Sequence, residues 1–236
     1  MSLDEIAGVS LLERDDTKFT ATLHELREFL KAVGPRYRVL EIDGRRLHAY
    51  RTLYFDSPTL DLYRSHHSGQ FGRRKVRNRE YRDTSEAFSE VKLKAKRGRT
   101  VKHRESITTI DTPPWDAPSL LEDLEPLRMD LEPALLNEFS RVTLVAHEPD
   151  ERVTIDLDLC FWSATRSVAL PGVVVIEAKQ ARVDRWSPAI LQARRQRLHP
   201  GFSKYCVGVA LLYEGVKHNN FKPTLLQLER TMRSAS

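Results

Sequence analysis

The feature that most constrains this chain is a series of short period-two segments whose polar face is charged. Lys75, Arg77 and Arg79 share one parity, Glu90, Lys92 and Lys94 alternate with Val91 and Leu93, and Lys102 and Arg104 flank His103. Further on, Arg152, Thr154, Asp156 and Asp158 alternate with Val153, Ile155, Leu157 and Leu159, and Glu177 and Lys179 bracket Ala178 after the apolar run 173–176. Such alternation predicts antiparallel strands with one apolar and one wet face. Serine, asparagine and glutamine would solvate an outer face equally well, so the repeated choice of charge marks a face with a task. Bare burial of those charges is prohibitive, which leaves an open sheet with a wet face or a barrel with a wet, ligand-filled lumen. The barrel accounts for more of the pattern. Its apolar outward residues need cover, and helix candidates stand at 22–33, 119–138, 188–198 and 203–212. The expected fold class is therefore α+β, an antiparallel β-barrel with helices packed around the outside.

The remaining punctuation agrees with one domain. Thr22-Leu23-His24-Glu25 has the form of a capping box and opens an amphipathic helix that Gly34-Pro35 closes. Turn signals at Asp43-Gly44, Ser68-Gly69, Asp83-Thr84-Ser85 and Arg97-Gly98 divide the strands between 37 and 104. Helical stretches are expected at 119–128 and 133–138, then strands at 139–147, 152–161 and 173–180. Pro188 suits the first turn of a helix, and Ser203 or Lys204 starts an apolar one. No internal repeat is visible, and 236 residues with 40% hydrophobic content supply a sizeable core. The expected division is a single domain over 1–215 and a loosely held tail over 216–236, in which Leu225, Leu226 and Leu228 could dock as a short helix.

A formal charge of +5 suggests an anionic partner, provided that the basic residues gather on one face. Cys160 and Cys206 are too few for a disulfide framework and lack the spacing of a zinc site. No apolar stretch reaches the ~18 residues of a membrane span, and Met1-Ser2-Leu3-Asp4-Glu5 does not read as a signal peptide, so the expectation is a cytoplasmic protein.

Beyond these patterns the chain resembles the polyphosphate polymerase (VTC) domain, a relative of the triphosphate tunnel metalloenzymes. The resemblance is carried by Glu13-Arg14-x-x-Thr17-Lys18-Phe19, Tyr54-Phe55-Asp56-x-x-x-Leu60-x-x-Tyr63, Lys75-Val76-Arg77-Asn78-Arg79-x-Tyr81 and Glu90-Val91-Lys92 with Lys102 ten residues on. It continues through Phe139-x-Arg141, Arg152-x-Thr154-Ile155-Asp156-x-Asp158-Leu159, Val175-Ile176-Glu177-Ala178-Lys179 and Phe202-Ser203-Lys204-Tyr205. It implies a barrel around a tunnel, and transfer of the terminal phosphoryl group of ATP to a growing polyphosphate chain with a divalent metal, manganese or magnesium. Lys18, Arg77, Arg79, Lys92, Lys102, Arg141, Arg152, Lys179 and Lys204 match family positions that hold phosphates, and Glu177 matches the glutamate associated with the metal. Lys75, Lys94 and Arg104 rest on strand parity, as do Glu90, Asp156 and Asp158 as further inward carboxylates for the metal. The chain departs from the pattern where Gly201 stands in place of the second lysine that often precedes Phe202-Ser203-Lys204.

Two other readings use the same residues. A triphosphatase would hydrolyse inorganic triphosphate or another triphosphate in the same tunnel. Such relatives usually open with Glu-x-Glu-x-Lys, whereas Glu13 and Lys18 point to opposite faces of a regular strand. A non-catalytic binder of polyphosphate or nucleotide is the third reading. DNA and RNA are not expected as partners, because Glu90, Asp156, Asp158 and Glu177 would repel a phosphate backbone unless a metal intervened. Tyr54, Phe55, Tyr63 and Tyr81 read as packing residues before they read as stacking platforms.

Overall fold

The computed structural model describes residues 15–94, 100–125, 127, 131–147, 151–181 and 184–235. Glu13, Arg14, the Arg97-Gly98 turn and Arg128 lie outside the described residues.

Strand β1 (Asp15–Thr22) runs directly into helix α1 (Leu23–Val33). Thr22 ends the strand and caps the helix: its hydroxyl accepts from the Glu25 N–H at 3.1 Å, and the Glu25 carboxylate accepts from the Thr22 N–H at 2.7 Å. The expected capping box is thus formed, with two orphan donors satisfied reciprocally. Short β2 (Tyr37–Val39) is followed by β3 (His48–Asp56), helix α2 (Asp61–His67), β4 (Arg74–Tyr81), β5 (Glu86–Lys94) and β6 (Thr100–Ile107). Helix α2 went unforeseen inside the strand-rich region. Asp56 organises it, accepting from the Leu62 N–H at 2.8 Å and the Tyr63 N–H at 2.9 Å.

After 3-10 turns at Pro114–Asp116 and Pro118–Leu120 and a single α turn, α3 (Leu121–Leu124), the chain enters β7 (Glu132–Ala146). The expected helix at 133–138 is therefore strand, because pairing with β3 overrides local preference. Pro133 sits where the register shifts between Tyr54 and Phe55, a position that tolerates a missing N–H. β8 (Glu151–Trp162), β9 (Ser167–Ala169) and β10 (Val173–Gln180) follow, then α4 (Pro188–Arg195), β11 (His199–Pro200), α5 (Lys204–Leu212) and α6 (Lys222–Ala235). Ser187 and Ser203 cap α4 and α5. The segment after 215 carries α6, whose Leu228 is buried and whose Leu225 and Met232 pack on the same cluster.

The strands form one antiparallel sheet in the order β11-β1-β10-β8-β7-β3-β4-β5-β6, with β2 on β7 and β9 on β8. Among the described residues the ladder does not close: β6 and β11 remain its two ends. The closed barrel of the sequence reading is corrected to a strongly curled sheet. Its curl brings Lys92 of β5 within 3.1 Å of Asp16 of β1, although five strands separate β5 from β1 along the ladder. Side chains bridge the gap that backbone hydrogen bonds leave open.

Apolar residues divide between the two faces. Outside, α1 and α4 pack Leu26, Phe29, Ala189 and Ile190 on Val153, Ile155, Val174 and Ile176. The α3 region covers Leu53, Phe55, Val76 and Val91. Inside, α5 fills one end of the concave face with Tyr205, Cys206, Val207 and Val209 against Leu135, Phe139, Leu159, Phe161 and Val175. Gly208 permits that approach: a Cβ there would stand 2.5 Å from Leu135 and 2.8 Å from Phe161.

Candidate functional site

Strand parity aims the charged residues at the concave face. Registers place Lys75 opposite Lys92 and Lys92 opposite Lys102, while Arg77 faces Glu90 and Glu90 faces Arg104. Across the sheet Arg141 pairs with Asp156, Lys179 with Arg152, Lys18 with Glu177 and Asp16 with Lys179. Lys94 ends β5 on the same parity as Lys92. Lys204 enters from the first turn of α5, and Ser203 just before it accepts from Lys75 Nζ at 3.0 Å.

Each carboxylate on this face is committed to cations. Arg141 grips Asp156 with Nε to Oδ1 at 2.5 Å and Nη2 to Oδ2 at 2.8 Å, and Lys204 donates to the same group. Glu90 receives Arg77 at 2.7 Å through Nε and also Lys102. Glu177 lies 3.2 Å from Lys18 and 3.6 Å from Lys179, and accepts from the Thr154 hydroxyl at 3.4 Å. Burial alone would push these carboxyls up, but the neighbouring cations outweigh it and hold all three below the usual carboxylate range.

The cations outnumber these partners, and the excess leaves a mark. Burial brings Lys75 down to about 8, helped by Lys18, Lys92 and Arg77 nearby and opposed by Cys206. Lys102 also falls to about 8, by burial that its partner Glu90 only partly offsets. Lys92 and Lys204 are lowered for the same first reason. Lys18 is the contrary case, since Glu177 and Asp16 overcome its burial and raise it. A face of crowded, half-desolvated ammonium and guanidinium groups favours polyanions, whose binding would relieve the repulsion.

Most of the residues expected from the sequence converge here: Lys18, Lys75, Arg77, Arg79, Glu90, Lys92, Lys94, Lys102, Arg104, Arg141, Arg152, Asp156, Glu177, Lys179 and Lys204. Asp158 does not. A β-bulge at Asp158, with φ of 54° and a register shift opposite Phe139, breaks the alternation of β8. Asp158 is left exposed, and Leu159 and Phe161 take the inward positions instead. Gly201 adopts φ of 84° and donates its N–H to the Lys18 carbonyl at 2.9 Å, so this position serves the turn before α5. Asp16 was overlooked, although it shares its parity on β1 with Lys18. Tyr50 and Phe88, also on this face, have no place in the sequence reading.

The metal reading also changes. Among the described residues no three His, Cys, Asp or Glu side chains gather as a metal-binding group. Asp156 and Glu90 are held by arginine and lysine on both oxygens. Glu177 has the softer pairing, to two lysines at 3.2 and 3.6 Å. Magnesium-like ions are commonly held by one or two carboxylates together with substrate phosphates. The donor set fits an ion shared with a bound phosphate chain around Glu177, and does not fit an all-protein cage.

Comparison with known proteins agrees with this architecture. A structure from Bacillus halodurans, described as a candidate adenylate cyclase, superposes with a TM-score of 0.54 at 11% identity, over 85% of this chain and 99% of that one. A Hippeastrum protein, described as a candidate adenylyl cyclase with a dominant triphosphatase activity, gives a TM-score of 0.49 at 15% identity, over 88% of this chain and 100% of that one. A Vibrio parahaemolyticus protein, also described as a candidate adenylate cyclase, gives 0.49 at 14% identity, over 84% and 98%. A search of curated proteins finds no match. At 11% identity the Bacillus halodurans structure speaks for the fold alone. The family model described as the VTC domain matches residues 13–213, most of the chain and every charged strand discussed above, and the chain therefore belongs to the VTC domain family.

Proposed function

We propose that this protein is a metal-dependent polyphosphate polymerase that transfers the terminal phosphoryl group of ATP to a growing polyphosphate chain lying along the concave face. The observation that carries the reading is the cation-rich inner surface, on which Glu90 and Asp156 are already neutralised by arginine and lysine partners. In the reaction a terminal oxygen of the acceptor chain attacks the γ-phosphorus, the bond to the β–γ bridging oxygen breaks, and ADP leaves. Such transfer needs in-line alignment and stabilisation of charge on phosphoryl oxygens far more than covalent chemistry. Arg77, Arg79, Arg141 and Arg152 can fork two oxygens each, while Lys92 and Lys204 supply point charges. Lys18, Lys75, Lys94, Lys102, Arg104 and Lys179 extend the basic track along which the chain would lie. A divalent ion, Mn²⁺ or Mg²⁺, would be held by Glu177 and would neutralise charge on the phosphates it shares.

The test is incubation of the purified protein with ATP and Mn²⁺, following ADP, free phosphate and polyphosphate separately. ADP with long polyphosphate and little free phosphate is expected. Stoichiometric free phosphate without polymer would replace the reading with a triphosphatase. Tight triphosphate binding without turnover would replace it with a binding module.

A further inference from the structure

The concave face carries a second tier of residues that the phosphate reading leaves unused. Phe88 of β5, Tyr81 of β4, Tyr50 of β3 and Phe139 of β7 form a run of rings across four adjacent strands. Their centroids stand 5.8 Å apart for Tyr81 and Phe88, 5.0 Å for Tyr50 and Tyr81, and 5.2 Å for Tyr50 and Phe139. Tyr50, Tyr81 and Phe88 are only half-buried, unlike the core aromatics Tyr63 and Phe161. Cations stand over them: Arg104 lies 4.5 Å from the Phe88 centroid, and Arg141 and Arg79 lie 5.0 and 5.8 Å from that of Tyr50.

Position gives the rings their meaning. Tyr50, Tyr81 and Phe88 lie toward the ends of β3, β4 and β5 away from Lys75, which meets Ser203 at the start of α5, while Phe139 belongs to the α5 cluster and has Lys204 Nζ 4.3 Å from its centroid. Tyr81 follows Arg79 on the same face of β4, and Phe88 precedes Glu90 on β5, a spacing of about 7 Å along each strand. That step is comparable with the reach of a ribose between phosphate and base.

We infer that Tyr81, Phe88 and Tyr50, with Arg104 over Phe88, form a nucleobase subsite that stacks the base of a nucleoside triphosphate whose phosphates lie on the adjacent cations. The inference rests on the proposed use of ATP and adds orientation: the base lies at the Tyr81 and Phe88 ends of β4 and β5, and the terminal phosphate points toward Lys75. Ring faces and a guanidinium plane recognise any base by its π-surface, so ATP and GTP should bind alike.

The test is calorimetric binding of three ligands, ATP, ribose 5-triphosphate and inorganic tripolyphosphate, to the intact protein and to Tyr81→Leu and Phe88→Leu. Base stacking on an aromatic residue predicts that ATP binds the unmodified protein about tenfold more tightly than ribose 5-triphosphate. Each variant should lose most of that advantage while tripolyphosphate affinity stays within about twofold. Equal affinities of ATP and ribose 5-triphosphate for the unmodified protein would overturn the subsite and leave the phosphate track standing. Failure of the unmodified protein to bind any of the three would overturn both.

Discussion

Arg141 of β7 and Asp156 of β8 hold each other by two hydrogen bonds, Nε to Oδ1 at 2.5 Å and Nη2 to Oδ2 at 2.8 Å, with Asp156 fully buried and Lys204 as a third partner. This triad joins the sheet to the first turn of α5. It makes Asp156 an anchor that fixes two cations of the concave face.

Replacement of Asp156 by asparagine should therefore act on stability first. Two cations would be left around a neutral amide, and breaking such a buried pair costs about 3–5 kcal/mol. Urea unfolding should show a clearly lowered midpoint, while the metal concentration giving half-maximal activity in the surviving folded protein should not move. A shifted metal requirement with unchanged stability would return Asp156 to the metal site.

Arg77 and Arg79 should account for much of the triphosphate affinity. Hydrogen bonds to charged groups contribute about 1.5–3 kcal/mol each, so Arg77→Ala with Arg79→Ala should weaken ATP binding by roughly two to four orders of magnitude. Lys102 still covers Glu90 in the double variant, so the fold should persist. Calorimetry with ATP measures the loss, and undiminished affinity would remove both arginines from the site.

Glu177→Gln should separate metal dependence from phosphate binding. Lys18 and Lys179 would lose a carboxylate and keep their charge. ATP affinity in the presence of chelator should hold or rise, while the metal-stimulated rate falls by about 10–100-fold or more. Retention of full metal stimulation would exclude Glu177 as the ion's protein ligand.

Lys75 and Lys102 should make binding and stability respond to pH in opposite senses. Both lie near 8 in the folded protein against 10.5 ordinarily. Between about 8 and 10.5 the unfolded chain binds protons at these positions that the folded chain does not, so their contribution to ligand-free stability rises with pH across that window. Bound phosphate favours the charged lysines, so affinity should be highest below about 8, fall above it, and be accompanied there by proton uptake. Calorimetry near that pH in buffers of different ionisation enthalpy counts the protons directly, and zero uptake would contradict the assignment.

Gly208→Ala tests how tightly α5 fills its end of the sheet. The added methyl would meet Leu135 at 2.5 Å and Phe161 at 2.8 Å, both fully packed. Overpacking of about 1–3 kcal/mol should outweigh the helix-propensity gain of about 1 kcal/mol, and lower the thermal midpoint. A raised midpoint would mean that the helix can withdraw from the sheet.

Local chemistry was legible in the residue order. Alternation fixed which side chains of β4, β5 and β10 share the charged face, and Thr22, Ser187 and Ser203 marked three helix starts, because periodicity and capping depend on neighbours a few positions apart. Nothing local could show that β8 bulges at Asp158, since the bulge is defined by its pairing with β7, or that 133–138 extends β7, since β3 imposes it. Helix α2 was hidden for a related reason, its first turn being held by the carboxylate of Asp56. The partners of the charges were likewise out of reach: Lys92 meets Asp16 from 76 residues away, and Lys204 meets Asp156 from 48. Those pairings depend on the twist and curl of the whole sheet, and they decide how tightly each carboxylate is held by cations. The sequence by itself determined a charged face; the tertiary structure decided where that face is filled, where its rings stand, and that side chains bridge the gap where the ladder stays open.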